Sequence, residues 1–236
     1  MSDITKGHTV HSFDDDLAQL RGLVLEMGEI VVEQVNNAVE ALGERDVHLA
    51  QRVVSDDRKV DQLDMEAHEE VEKLFAIRHP LARDLRLVMA LSKIVSELAR
   101  GGNKAKKIAN FVLALEGEED RAPGKKLMHH VRRMSERACC MLEHSLEALA
   151  ALDVDAAIDI MKTDDELDEE FDASMRHLVT FMWENPSMIT KVLDMVFVLK
   201  ALERIGDFAN HIAQQVVYVA EARDVRYVNP DLLESR

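Results

Sequence analysis

Aromatic residues make up only 4% of this 236-residue chain, and just 9 Gly and 4 Pro punctuate it. Sheets draw on aromatic and β-branched side chains, and many short elements need Gly and Pro at their turns, so both are disfavoured. Positive charge is also scarce: 29 Lys and Arg stand against 45 Asp and Glu, a formal charge of −16. That balance argues against a nucleic-acid partner, whose phosphates need clustered Lys and Arg, and against direct adhesion to anionic lipid. The two cysteines, Cys139 and Cys140, are neighbours in a helical pattern, so they diverge by about 100° and a bond between them is disfavoured. Free thiols in a reducing cytoplasm are the simpler reading. The first 13 residues are polar, with Asp3, His8 and His11 where a signal peptide would carry its apolar stretch. No run approaches the roughly 18 apolar residues of a membrane span. A cytoplasmic protein that meets a membrane only through partners is expected.

What the chain does contain is Leu, Val, Ala, Met and Glu in helical register. Phe13, Leu17, Leu20, Val24, Met27, Val31, Val35, Ala38 and Leu42 step by three and four, the seam of an amphipathic helix in a bundle. Ser12 precedes this seam, Asp15 and Asp16 suit the positive end of the helix dipole, and Gly43 is a plausible stop. A second helix is predicted from about Asp46 to Arg78, where Pro80 forces a break, and a third from Pro80 to about Leu115. The polar stretch 116–124 ends in Pro123-Gly124 and reads as a linker. A fourth helix follows with its seam from Leu127 to Leu152, then a fifth from about Asp153 to Glu184, and a sixth from Pro186 to about Arg223. The expected organisation is a flexible N-terminus (1–12), a three-helix repeat (13–115), the linker, a second three-helix repeat (125–223) and a loosely ordered tail (224–236).

The two halves are copies. Leu98, Arg100, Gly102, Ala105, Ile108 and Ala109 recur as Leu202, Arg204, Gly206, Ala209, Ile212 and Ala213, each 104 residues on. Asp57 and Asp61 recur as Asp164 and Asp168 at a spacing of 107, and Pro80 as Pro186 at 106. The fold class expected is therefore all-α, two tandem three-helix bundles related by internal duplication. Whether they lie end to end as a rod or close into one six-helix body is left open by the seams.

Chemistry concentrates in Leu202-Glu203-Arg204-Ile205-Gly206-Asp207. Glu203 and Asp207 are four apart, so both carboxylates share a helix face, Asn210 extends the stripe, and Gly206 between them suits a close approach by another backbone or an ion. Asp164 and Asp168 repeat that spacing on the fifth helix, and the two helices together offer oxygen ligands suited to Mg²⁺, Mn²⁺ or iron. The plainer alternative is a solvated acidic face with Arg204 as its ion-pair partner. In the first repeat Asp57 and Asp61 persist, but Glu203 and Asp207 are replaced by Ala99 and Asn103, followed by Lys104, Lys106 and Lys107. A cluster there is expected to be weak or absent, and Gly101-Gly102 to weaken or kink the helix.

Little else suggests catalysis, and a non-enzymatic protein is expected. None of the ten His follows a Glu by three residues, as di-iron bundles require. His211 is at best a supplementary ligand, His129 and His130 are expected to face solvent, and Trp183 to pack under the turn at Asn185-Pro186. No Gly-rich phosphate loop, nucleophile elbow or zinc-spaced Cys/His set is present.

The intact Leu202–Asp207 motif, its relic at 98–103, the early Met27-Gly28 and Asp84-Leu85-Arg86-Leu87-Val88-Met89 after a helix-opening proline resemble the PhoU family of phosphate-signalling regulators. The resemblance spans essentially the whole chain. It implies a cytoplasmic, homodimeric adaptor that restrains phosphate uptake and the phosphate-starvation response. Its implied partners are the ATPase subunit of the phosphate ABC transporter and the phosphate sensor histidine kinase. It further implies divalent or iron cations on Glu203 with Asp207, Asp164 with Asp168, and Asp57 with Asp61. Ala99 and Asn103 depart from the family pattern, as does Phe208, where many members carry His. A metal-storage or metal-dependent bundle is the alternative function.

Overall fold

The three-four spacing becomes six long helices. The computed structural model describes residues 11–117 and 124–233. In it α1 spans His11–Glu44, α2 Val47–Lys73, α3 Ala82–Ala114, α4 Lys125–Ala151, α5 Val154–Glu184 and α6 Ile189–Glu221. Among the described residues there is no strand. Of the expected N-terminal segment only residues 11 and 12 are described, as the start of α1, and linker residues 118–123 lie outside the described residues.

The duplication is written into the backbone of the first turn of each repeat. Arg45 (φ 58°) and Leu152 (φ 51°) both adopt the left-handed conformation, at positions 107 apart. Each is followed by an aspartate that caps the next helix. Asp46 Oδ1 accepts from the Leu49 amide at 2.9 Å and Asp153 Oδ1 from the Ala156 amide at 3.0 Å. Left-handed backbone at a non-glycine residue costs on the order of 1–2 kcal/mol, which the cap and the two packed helices offset. The second turns differ. α2 loosens into a π-turn over Leu74–Arg78 before Pro80, whereas α5 ends at Asn185 and a 3₁₀ turn at Pro186–Met188 leads into α6. Asp16 of α1 holds the π-turn corner, accepting from Arg78 at 2.9 Å and Lys73 at 3.2 Å. Burial opposes its ionisation, yet these two cations hold Asp16 below the usual carboxylate range.

Within each repeat the three helices pack on one another, and α1 then packs on α4 and α3 on α6. The repeats therefore lie side by side, with α1, α3, α4 and α6 inside and α2 and α5 flanking them, over one continuous aliphatic core. Small residues permit the approach: a Cβ on Gly28 of α1 would sit 2.4 Å from a Leu146 methyl of α4. Across the other seam, the Arg100 guanidinium lies 4.8 Å from the Phe208 ring centroid. The side-by-side arrangement explains why α6 is buried on two faces, with Leu202, Ile205, Ala209 and Ile212 joined by Val198, Phe208 and Val217.

Several local expectations are corrected. Trp183 does not pack beneath the turn but is 83% exposed, because α5 and α6 extend past the core at that end. His130 does not face solvent: it is half-buried, 3.1 Å from Ser174 Oγ, with its ring against His177. α3 runs unbroken through Gly101-Gly102, both buried, because that segment is clamped against Val31, Gln34, Asp57 and Val60. The tail is held through Leu233: Val225 and Leu233 are buried, and the turn at Pro230–Leu232 lies on α5. Cys139 is buried and Cys140 exposed, both as free thiols. Among the described residues no helix is long and apolar enough to cross a membrane.

Candidate functional site

α5 and α6 run antiparallel, and their packing brings the acidic residues of one onto those of the other. Gly206 makes this possible: a Cβ there would lie 2.0 Å from a methyl of Leu167, so the bare backbone receives that side chain. The close approach expected at this glycine is thus a leucine. Asn210 Nδ2 donates to Asp164 Oδ2, and Gln214 Nε2 donates to Asn210 Oδ1 at 3.2 Å. Burial, and then the neighbouring carboxylates of Asp207, Asp168 and Asp165, push Asp164 up to about 6 against the opposing effect of the Asn210 bond. Asp168, on the exposed side, is raised by the same combination: desolvation first, then Glu203 and Asp207. The four carboxylates named from the sequence therefore lie within each other's field.

Two cations partly answer them. Lys200 Nζ donates to Glu203 Oε1 at 2.5 Å, and Arg204 donates to Asp207 Oδ2 at 2.7 Å. Two oxygens are left over. Asp164 Oδ1 and Glu203 Oε2 are buried without a hydrogen-bond partner, the Arg204 Nε at 3.8 Å from Glu203 Oε2 being too distant to donate. The donor set, all carboxylate and amide oxygen, has the chemistry of a hard-cation site. As the side chains stand, no three His, Cys, Asp or Glu among the described residues are gathered closely enough to hold a metal, since Glu203 and Asp207 lean toward their Lys and Arg.

The equivalent place between α2 and α3 is built differently. Asp57, only 2% exposed, accepts from Lys106 Nζ at 2.7 Å. Lys106 stands 104 residues before Asn210, so a charged ammonium here replaces the amide that faces Asp164 there. The bond to Asp57 raises the Lys106 pKa above its ordinary value. Asp61 is exposed on the next turn. Gln34 of α1 closes the site from the third helix, its Oε1 3.2 Å from where a Gly102 Cβ would lie, as Met141 of α4 closes on Gly206. With the ammonium seated on its buried carboxylate and Ala99 and Asn103 in place of acids, this set does not fit a cation.

The sequence reading did not identify Lys200 or Gln34 as members of these sites, nor Lys106 as the partner of Asp57. The 104-residue offset, which aligns Lys106 with Asn210, was the available signal. His211 is engaged across the seam with Glu97 of α3 at 3.3 Å, which raises its pKa. Phe208 is turned into that same seam, beneath Arg100.

A family model described as "PhoU domain" matches twice, at residues 24–112 and 131–216. The phosphate-specific transport system accessory protein PhoU homolog of Pseudomonas aeruginosa is 37% identical over 223 residues, covering 94% of this chain and 90% of that one. The accessory protein PhoU of Escherichia coli strain K12 is 33% identical over 227 residues, covering 96% and 92%. The crystal structure of PhoU from Pseudomonas aeruginosa superposes with a TM-score of 0.84 at 36% identity, covering 89% of this chain and all of the other. The fold is also that of the phosphate transport system regulatory protein PhoU from Streptococcus pneumoniae, with a TM-score of 0.82 at 24% identity and coverage of 90% and 99%.

Proposed function

The chain belongs to the PhoU family, and from that premise we propose that it restrains phosphate uptake and the phosphate-starvation response as a cytoplasmic, homodimeric adaptor. It acts by binding rather than catalysis, bridging the ATPase subunit of the phosphate ABC transporter and the phosphate sensor histidine kinase. The supporting observation is the family match to both repeats, together with near-full-length relatives named as accessory proteins of the phosphate-specific transport system. An adaptor of this kind works by population shift: it stabilises whichever state of kinase or transporter it binds better, by the difference in affinity.

The same reading places a divalent or iron cation on Asp164, Asp168, Glu203 and Asp207. Its support is the pair of buried, unpartnered oxygens and the crowding of Asp164. Such an ion would neutralise the four carboxylates and stiffen the α5–α6 pair. The test is a deletion strain carrying a phosphate-repressible phosphatase reporter, with a tagged copy used for pull-down in high phosphate. Derepression on deletion and recovery of both the transporter ATPase and the kinase are expected. A silent reporter, or a pull-down lacking both proteins, removes the reading.

A further inference from the structure

Of the three lysines that follow the relic motif, Lys106 is committed to Asp57, but Lys104 and Lys107 have no carboxylate within ion-pair distance among the described residues. Both line an open groove of about 250 Å³ between α3 and α6, with Phe111 on one wall, Phe197 and Lys200 on the other, and Asp194 at its edge. Positive charge is in local surplus here although the whole chain carries −16. Burial, then Lys107, Arg204 and Arg100, hold the Lys104 pKa below its ordinary value. An apolar stripe enters the groove from the α5–α6 end: Ile189, Leu193 and Phe197 are four residues apart on α6 and 44%, 47% and 74% exposed. They cover about 12 Å of helix, two turns and a little more.

We propose that this groove seats an acidic amphipathic helix of a partner protein. The partner's apolar residues lie along Ile189, Leu193 and Phe197, and its carboxylates meet Lys104 and Lys107. The inference rests on the adaptor reading for the existence of a partner. The occupant's chemistry follows from the groove itself. Anchors spaced by four residues are the spacing a helix presents. Lysines without a carboxylate partner among the described residues, in an otherwise acidic protein, select carboxylates over a second basic surface. A concave groove suits a peptide better than a flat anionic bilayer, from which the overall negative charge also repels the chain.

The test is fluorescence anisotropy with the full chain and a labelled synthetic helix of about 18 residues, Leu at every fourth position and Glu along both flanks. Controls are the same helix with Lys for each Glu and a scrambled sequence. Saturable binding of the acidic helix is expected, weakening as salt rises. The charge-reversed helix should bind about tenfold or more weakly. Phe197→Ser and the pair Lys104→Glu with Lys107→Glu should each weaken binding by a similar factor, whereas Lys162→Glu, on the α5 surface, should not. All three variants change side chains outside the core, and unchanged thermal midpoints by circular dichroism would show that the fold persists. Equal binding of the scrambled or reversed helix, or indifference to the double lysine variant, overturns the proposal. So does retention by phosphatidylserine vesicles that depends on the same residues, or self-association abolished by Phe197→Ser. If the variants lose the peptide but the reporter strain is unaffected, the surface is not the adaptor's contact. A silent reporter on outright deletion would instead remove the adaptor reading and leave the peptide site standing.

Discussion

Asp57 and Asp164 occupy the same turn of equivalent helices, and the two bundles neutralise them by opposite means. Asp57 is closed off by an ammonium 2.7 Å away that the chain itself supplies. Asp164 faces the neutral Asn210 among three further acids, keeps one oxygen unpartnered, and holds its proton to about pH 6. The first arrangement is complete within the chain. The second carries surplus negative charge that a proton relieves, as an added cation would. The copies differ by the exchange of an ammonium for an amide: one carries its own counter-ion, the other a place responsive to solution conditions. The exchange also left Lys104 and Lys107 on the first bundle's surface, beside α6, where the groove lies.

The comparison is most severely tested by removing the two partners. Lys106→Ala leaves a nearly inaccessible carboxylate unpaired and is expected to cost about 2–4 kcal/mol, the lower part of the usual range because the ammonium is partly solvated. Asn210→Ala should cost only about 1 kcal/mol, one hydrogen bond to a group that can take up a proton instead. Urea unfolding at neutral pH measures both, and equal losses would break the contrast.

Transplanting one arrangement into the other sharpens it. Ala99→Glu, Asn103→Asp and Lys106→Asn together rebuild the acidic set between α2 and α3. That variant should be less stable in chelator and gain stability from Mn²⁺ beyond what the parent gains. At ten times the dissociation constant the gain is about 1.4 kcal/mol. Calorimetric midpoints with and without Mn²⁺ read the effect; no difference between parent and variant would show that the acidic residues alone do not make the site.

Asp164 also predicts a pH dependence of definite sign. Its folded pKa of about 6 lies above the ordinary value of about 4, so the native state binds the proton more tightly than the unfolded chain. The group's contribution therefore falls as pH rises from about 4 to 6 and is constant above that. Asp164→Asn should remove this segment of the stability–pH curve, with the variant gaining on the parent between pH 4 and 7. The smallest effect is expected at the free end of the second bundle. Trp183→Ser should change stability by less than about 0.5 kcal/mol. Trp183 is the one tryptophan, so its native fluorescence should be quenched by acrylamide almost as readily as in urea.

Much of this architecture is legible in the sequence. The seams predicted all six helices, Asp46 and Asp153 marked the starts of α2 and α5, and the duplicated identities predicted paired bundles. The acidic residues of α5 and α6 were legible as one face, because i and i+4 spacing is a property of a single helix. Three things were not. Lys106 was legible only as one of three lysines after the relic motif, since its pairing with Asp57 depends on how α2 and α3 are rotated against each other. Trp183 read as core, since nothing local says that the helices outrun the core at their turn. Gly206 read as room for an ion or a backbone, whereas the space belongs to Leu167.

The sequence by itself determined the helices, their caps and the kinship of the two halves, because periodicity, capping and repeated residues act within a few turns of chain. It also determined that the halves are unequal, through Ala99 and Asn103. Only the tertiary structure decided that the bundles lie side by side. The spacing of apolar residues says how much of a helix must be covered but not by which neighbour, and α6, apolar on two faces, is satisfied only between its own bundle and α3. The same packing decided that Asp57 meets an ammonium and Asp164 an amide, and that Lys104 and Lys107 border an open groove.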